Sequence, residues 1–233
     1  MKISFQNTTV ERDGIPALQE FTAEFDSENA AYAILGANGA GKSTLLTALL
    51  GLFPITSGQV LIDELPVTPK NAHVIRRRIG MVFQNADAQL FNQTVQEDVA
   101  FGPTNLDLPP EDVATRTTDA LKAMGVAHLA KRDVTRLSGG EKRRVALAGI
   151  LAMRPEAILL DEPTSDLDPR ACRELATLLN DLPAFKLIAT HDLTFARRVC
   201  PKCAILQNGR LLAAGNTAEL LEDMQLLESS GLA

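Results

Sequence analysis

Tryptophan is absent from this chain of 233 residues, there is a single tyrosine, and aromatic residues make up only 4% of the total. A row of base-stacking aromatics, the usual platform for single-stranded nucleic acid, therefore cannot be assembled. A basic surface is missing too. Twenty-three Lys and Arg face 29 Asp and Glu, giving a formal net charge of −6, which argues against a nucleic-acid partner. No apolar run approaches the ~20 residues of a membrane span, and Met1-Lys2-Ile3-Ser4-Phe5 does not read as a signal peptide. The expectation is a cytoplasmic protein that docks on a membrane protein at most.

Cysteine is scarce: Cys172, Cys200 and Cys203. Cys200-Pro201-Lys202-Cys203 is a lone Cys-x-x-Cys with no second pair to complete a four-ligand zinc site. A redox pair favours a helix N-terminus, whereas the following Ala204-Ile205-Leu206 reads as a strand. Ordinary reduced thiols are expected.

What the chain does have is a glycine loop, Gly36-Ala37-Asn38-Gly39-Ala40-Gly41-Lys42-Ser43-Thr44. The apolar run Tyr32-Ala33-Ile34-Leu35 before it reads as a buried strand, and Leu45 to Leu50 after it as a helix closed by Gly51. Strand, glycine loop and helix form the setting of a phosphate-binding loop. Glycines let successive backbone N–H groups converge on one spot. The helix N-terminus adds unpaired N–H groups and the positive end of its dipole. Lys42 brings a full charge to the terminal phosphates, and the Ser43 hydroxyl can ligate magnesium.

Around this loop the chain reads as α/β. Residues 3–35 carry short β-like runs with Asp13-Gly14 as a turn. Helix is expected over Lys42–Leu52, and strands over Gly58–Asp63 and Ile79–Phe83. From residue 85 to about 154 the spacing turns helical, as in Val113–Met124, and Pro103, Pro109 and Pro110 read as breaks. This is a helical insertion in a core made of about 1–84 and 155–233. Buried parallel strands end at Asp161 and Thr190, Asn208-Gly209 marks a hairpin, and a last helix is expected over Thr217–Glu228.

Several strand ends carry chemistry. Ala157-Ile158-Leu159-Leu160-Asp161-Glu162 closes in two carboxylates. Asp161 is suited to magnesium, and Glu162 to polarising an attacking water. Leu137-Ser138-Gly139-Gly140-Glu141 opens a helix. Ser138 and Glu141 fit a capping box, while the paired glycines leave N–H groups open to a phosphate. Gln84 and His191 also end strands, the first able to place an amide oxygen near magnesium, the second a contact for the terminal phosphate.

These stations together resemble the full motif set of an ATP-binding-cassette ATPase. They stand in the family's order, continue through Ser165-Asp166-Leu167-Asp168, and cover nearly the whole chain. The resemblance implies a RecA-like P-loop core, an antiparallel β subdomain and an inserted helical subdomain in one cassette, with ATP and Mg2+ as ligands. It also implies a head-to-tail homodimer in which each ATP lies between one glycine loop and the partner's Ser138-Gly139-Gly140, with Asp168 carrying communication across the interface.

A narrower resemblance lies in Met81-Val82-Phe83-Gln84-Asn85-Ala86-Asp87-Ala88-Gln89-Leu90-Phe91, continuing through Val95 to Pro103 and Glu141 to Ala148. It is similar to the ATPase subunits of energy-coupling-factor importers, which work with a coupling membrane protein and a substrate-binding membrane protein. It implies a peripheral position on the cytoplasmic face of the membrane. Asp87, Gln89, Leu90 and Phe91 are then the expected docking residues for helices of the coupling protein. That family often has proline at position 86 and an acidic residue at 88, and both are alanine here. Its adenine-stacking aromatic is expected where Arg12 stands, and arginine can also stack on a purine. Biotin ranks first as cargo, from chain length, and cobalt or nickel second. A soluble cassette serving DNA repair or the ribosome is the rival of another class; the acidic balance and the lack of a long coiled-coil insertion oppose it.

Overall fold

Two long strands open the chain, β1 (Lys2–Arg12) and β2 (Ile15–Asp26), joined by a tight turn in which Asp13 and Gly14 both take positive φ. They pair antiparallel with β4 (Ile55–Ile62) and the two-residue β5 (Leu65–Pro66) in the order β2-β1-β4-β5. The short β-like runs expected over 3–35 are thus three strands, the two long ones here and Ala31–Leu35 in the second sheet. Register shifts near Thr8 and Val10 break the alternation that would mark the long pair in sequence. The computed structural model describes residues 1–28 and 30–233.

The second sheet has six strands in the order β10-β9-β3-β8-β7-β6. β3 (Ala31–Leu35), β6 (Ile79–Val82), β7 (Ala157–Asp161), β8 (Phe185–Thr190) and β9 (Lys202–Gln207) run parallel; β10 (Arg210–Asn216) closes the edge antiparallel through Asn208-Gly209. Every residue of β6, β7 and β8 is buried, as parallel strands covered on both faces must be. One face packs on helix α1 (Lys42–Leu49) and the antiparallel sheet, where Phe5 meets Phe21 edge-to-face at 5.3 Å. The other face packs on the helices inserted between β6 and β7, namely α3 (Val95–Thr104), α4 (Pro110–Ala123) and α5 (Gly139–Ala152), and on α6 (Pro169–Asp181) and α7 (Leu193–Val199). The short α2 (Ala72–Arg78) leads into β6.

Several boundaries differ from expectation; β4, for one, begins at Ile55 and not at Gly58. Helix α1 stops at Leu49, because Leu50 and Gly51 turn the chain back through hydrogen bonds to Thr47 and Ala48. Pro103 lies inside the last turn of α3, where its missing N–H costs one helical bond near the helix end. The expected last helix is two, α8 (Thr217–Leu220) and α9 (Met224–Ser230), because Asp223 caps a fresh start by accepting from the Leu226 N–H.

The Asn208-Gly209 turn does more than join two strands. The Gly209 N–H donates to the Ala40 carbonyl at 3.0 Å, and its own carbonyl accepts from the Gln19 N–H at 2.9 Å. The turn thereby pins β2 to the glycine loop. A Cβ on Gly209 would lie 2.7 Å from the Ala17 carbonyl oxygen, so only glycine allows this approach.

Candidate active site

Strand register places the chemistry in one row. Leu35 pairs with Thr190, Asp161 with Ala189, and Val82 with Leu160. The residues that follow, Gly36, His191, Glu162 and Phe83-Gln84, therefore leave neighbouring strands at the same carboxyl edge of the sheet, where α/β folds bind ligands. Gln84, Glu162 and His191 border a cavity of about 490 Å³ that Arg12 and Asn38 to Thr44 also line.

The glycine loop is forced by crowding. A Cβ on Gly36 would stand 2.6 Å from the Leu206 carbonyl oxygen, and one on Gly41 2.5 Å from that of Ala17. Gly41, at φ +104, begins α1 with no side-chain cap. α3 and α5 are instead closed by capping boxes, Thr94 with Glu97 and Ser138 with Glu141. The first N–H groups of α1 are thus left to an anion.

Lys42 and Glu162 are both almost fully buried, their side chains 5% and 7% exposed, and face each other at 3.2 Å. The ammonium donates to the Gly36 and Ala37 carbonyls at 2.7 and 3.2 Å. Its contact with Glu162 is an ion pair without hydrogen-bond alignment, so Glu162 Oε1 has no donor among the described residues. The other oxygen, Oε2, lies 3.0 Å from His191 Nδ1 and accepts from the His191 N–H at 3.4 Å. Glu162 takes a positive φ of 44°, uncommon off glycine and frequent at functional sites. Its own N–H is held by the Ala189 carbonyl at 2.8 Å.

Ser43 Oγ donates to Asp161 Oδ1 at 3.0 Å, which puts the two expected magnesium ligands in contact, while Gln84 lines the same cavity. Hydroxyl, carboxylate and amide oxygens suit a hard divalent cation. Burial pushes the Asp161 carboxyl above the usual aspartate range; the Ser43 hydrogen bond opposes this and the Glu162 charge adds to it. The uncapped helix start, the orphaned oxygen of Glu162 and this oxygen set all fit a magnesium-bound triphosphate.

Arg12 reaches the mouth of the cavity, and its guanidinium lies 4.9 Å from the centre of the Phe53 ring. Ser138, Gly139, Gly140 and Glu141 are not in this cavity. They open α5, where Glu141 Oε2 accepts from the Ser138 N–H at 2.7 Å, while a Cβ on Gly139 would meet nothing within 4 Å. Asp168 caps α6 through the Arg170 and Ala171 N–H groups, both at 2.8 Å, and these bonds hold its carboxyl below the ordinary range.

The docking stretch divides. Phe91 is 64% exposed and packs edge-to-face on Phe101, 47% exposed, at 4.7 Å. Asp87 is exposed and ion-paired with Lys142. Leu90 is half-buried against the helical core. Gln89 departs from the docking role: its Oε1 accepts from the Phe83 N–H at 3.1 Å and its Nε2 donates to the Met81 carbonyl at 3.2 Å, so the amide is spent on holding the loop to β6. At Cys200 and Cys203 burial pushes both thiols up, away from the thiolate a redox pair uses.

The fold and this row of strand ends define a P-loop nucleotide hydrolase of cassette type. Residues 22–165 match the ABC transporter family model. The chain is 46% identical to a putative ABC transporter ATP-binding protein of Geobacter sulfurreducens, over 94% of this chain and 88% of that one. It is 40% identical to the energy-coupling factor transporter ATP-binding protein EcfA of Methanoculleus marisnigri, over 97% and 82%. Among solved structures it superposes on CbiO1 of Clostridium perfringens, part of the ABC transporter complex CbiONQ, with a TM-score of 0.86 and 34% identity, over 99% of this chain and 94% of that one. A second match is the dimeric cassette MJ0796 in a post-hydrolysis state bound to ADP and Pi, with a TM-score of 0.81 and 28% identity, over 92% and 98%. The chain belongs to the ABC transporter ATP-binding family, and is an ATPase that uses ATP with Mg2+.

The burial of Asp161 gives a pH prediction. A carboxyl raised by folding is best tolerated protonated, so the nucleotide-free protein loses stability as pH rises through that raised value. Asp161→Asn removes the charge and keeps the oxygen for Ser43. Its melting temperature should match the unaltered protein near about pH 4, where an ordinary aspartate titrates. It should exceed it at about pH 8, where the buried carboxylate of the unaltered protein is charged. A difference that does not change with pH would count against the assignment.

Proposed function

We propose that this chain is the ATP-hydrolysing subunit of an energy-coupling-factor importer, peripheral on the cytoplasmic face of the membrane, working as a homodimer. Biotin is the first candidate for its cargo, ahead of cobalt or nickel ions. A subunit of this kind carries no cargo contacts, so the cargo is set by its membrane partners.

The observation that carries the reading is the buried Lys42, Glu162 and Asp161 with the half-buried Ser43, taken with the exposed Phe91–Phe101 pair one loop away from Gln84. The first cluster supplies hydrolysis. The α1 N–H groups and Lys42 hold the terminal phosphates, and Ser43, Asp161 and Gln84 hold magnesium, which neutralises phosphate charge when bound. Glu162, oriented by His191, accepts the proton of the attacking water. Arg12, backed by Phe53, offers its outer face to adenine. The open glycines at the start of α5 leave room for the partner's nucleotide, the arrangement of a head-to-tail dimer. Asp168 sits at the edge where that partner would pack.

The second cluster supplies coupling. Gln89 ties the loop to β6, and Asp98 Oδ1 accepts from the Phe91 and Asn92 N–H groups, both at 2.9 Å, so Phe91 is presented on a braced loop. An apolar knob with the Asp87–Lys142 pair at its rim suits a short amphipathic helix of a coupling membrane protein. A soluble, non-transport cassette would have no use for that patch.

Two measurements separate the chemistry from the docking. Glu162→Gln should lower ATP turnover by roughly 10²–10⁴ while ATP remains bound; near-normal hydrolysis would remove Glu162 from the base role. Asp87→Arg and Phe91→Asp should each leave the ATPase activity and melting temperature of the isolated subunit nearly intact, and abolish assembly with its membrane coupling protein and substrate uptake. Unchanged uptake in both would contradict the docking role.

A further inference from the structure

Arg143 sits in the second turn of α5 and is 95% buried, the relative exposure being 5%. Among the described residues it forms no carboxylate ion pair. Its guanidinium is held by oxygens from two separate segments. Nη1 donates to the Phe83 carbonyl at 2.9 Å, and Nη2 to Ser165 Oγ at 3.2 Å and to the Ser165 carbonyl at 3.4 Å. Ser165 Oγ in turn donates to the Glu162 carbonyl at 2.9 Å.

Each anchor adjoins a working part of the site. Phe83 immediately precedes Gln84. Ser165 belongs to the turn between Glu162 and Asp168, the cap of α6. Arg143 itself is rooted four residues after Gly139 in the helix whose start faces a partner's nucleotide. The neighbouring Lys142 adds a surface tie from the same helix turn to Asp87, on the far side of Gln84. A guanidinium suits this placement because its planar fork reaches two acceptors in fixed directions, which an ammonium cannot do. Burying such a charge among carbonyls is costly, and burial indeed pushes its pKa down, with the Asp166 and Asp161 charges opposing. A leucine or methionine would fill the space more cheaply if packing were the only need.

We infer that Arg143 is a positioning residue for ATP hydrolysis: it couples the Gln84 loop, the Glu162–Asp168 turn and the start of α5 into one unit. Movement of Gln84 on nucleotide binding is passed by this fork to the signature helix and to the backbone that carries the catalytic carboxylate. The inference rests on the ATPase reading of the site and adds a residue that does not line the site's cavity.

The test uses the purified subunit and MgATP. Arg143→Met keeps the stem and removes the fork; Arg143→Lys keeps the charge and removes the fork; Ser165→Ala removes one acceptor at a half-buried position. Arg143→Met should lower kcat by about ten- to a hundredfold, the cost of a small misplacement of catalytic groups. Equilibrium binding of a fluorescent ATP analogue should stay within about twofold, because the ground-state phosphate contacts are untouched. Arg143→Lys should fail to restore the rate, and Ser165→Ala should lower kcat severalfold with an unchanged melting temperature. A filler role predicts otherwise: full kcat in Ser165→Ala and in Arg143→Lys, with any loss in Arg143→Met tracking loss of nucleotide binding and of folded protein. That pattern would overturn the inference. If Arg143→Met does not fold, Ser165→Ala and Arg143→Lys decide it alone. The unaltered protein is measured alongside, so its hydrolysis of ATP upholds the ATPase reading whichever way the variants fall.

Discussion

A lysine and a glutamate face each other across 3.2 Å at the carboxyl edge of the parallel sheet, both nearly cut off from water. Neither charge would be tolerable there alone, since an unpaired buried ion costs several kcal/mol. Yet in the proposed mechanism these are the groups that meet a triphosphate and an attacking water. The pairing resolves the conflict by being incomplete. Lys42 donates to loop carbonyls, one oxygen of Glu162 has no donor among the described residues, and the bond between them is charge without alignment. A ligand that offers anionic oxygens to Lys42 takes over a cation that is only lightly held.

The rest of the fold serves that arrangement. Parallel register sets Gly36, His191, Glu162 and Gln84 side by side, and the Asn208-Gly209 turn ties the antiparallel sheet to the glycine loop. On the far side of Gln84, Gln89 and Asp98 brace the loop that carries Phe91, while Lys142 and Arg143 fasten the same loop to α5. The nucleotide pocket and the exposed aromatic pair are thus two ends of one braced stretch, a placement suited to passing ATP-driven movement to a partner.

Most of the nucleotide pocket was legible in the sequence, because its chemistry needs particular residues at fixed spacing next to buried strands. The glycine loop, the Asp161-Glu162 strand end, Ser43 and His191 all meet where expected. What the sequence hid were contacts made between distant segments. Phe53 beneath Arg12 carries no local signal. Gln89 reads as a surface amide until its fold back onto β6 is seen. Arg143 stands in a run of charges that reads as a solvated face, although its position three and four residues before the buried Ala146 and Leu147 places it on the inward side of α5. The split of the last helix escaped for a different reason: Asp223 competes for backbone donors inside an otherwise helical pattern.

In the proposed mechanism, Glu162 and a bound triphosphate compete for Lys42. The direct measurement is the ATP dissociation constant of Glu162→Gln beside the unaltered protein, by calorimetry, with AMP as the control that lacks the terminal phosphates. Removing the carboxylate charge frees the lysine and relieves repulsion, so ATP should bind the variant more tightly and AMP equally. Equal or weaker ATP binding by the variant would contradict the account.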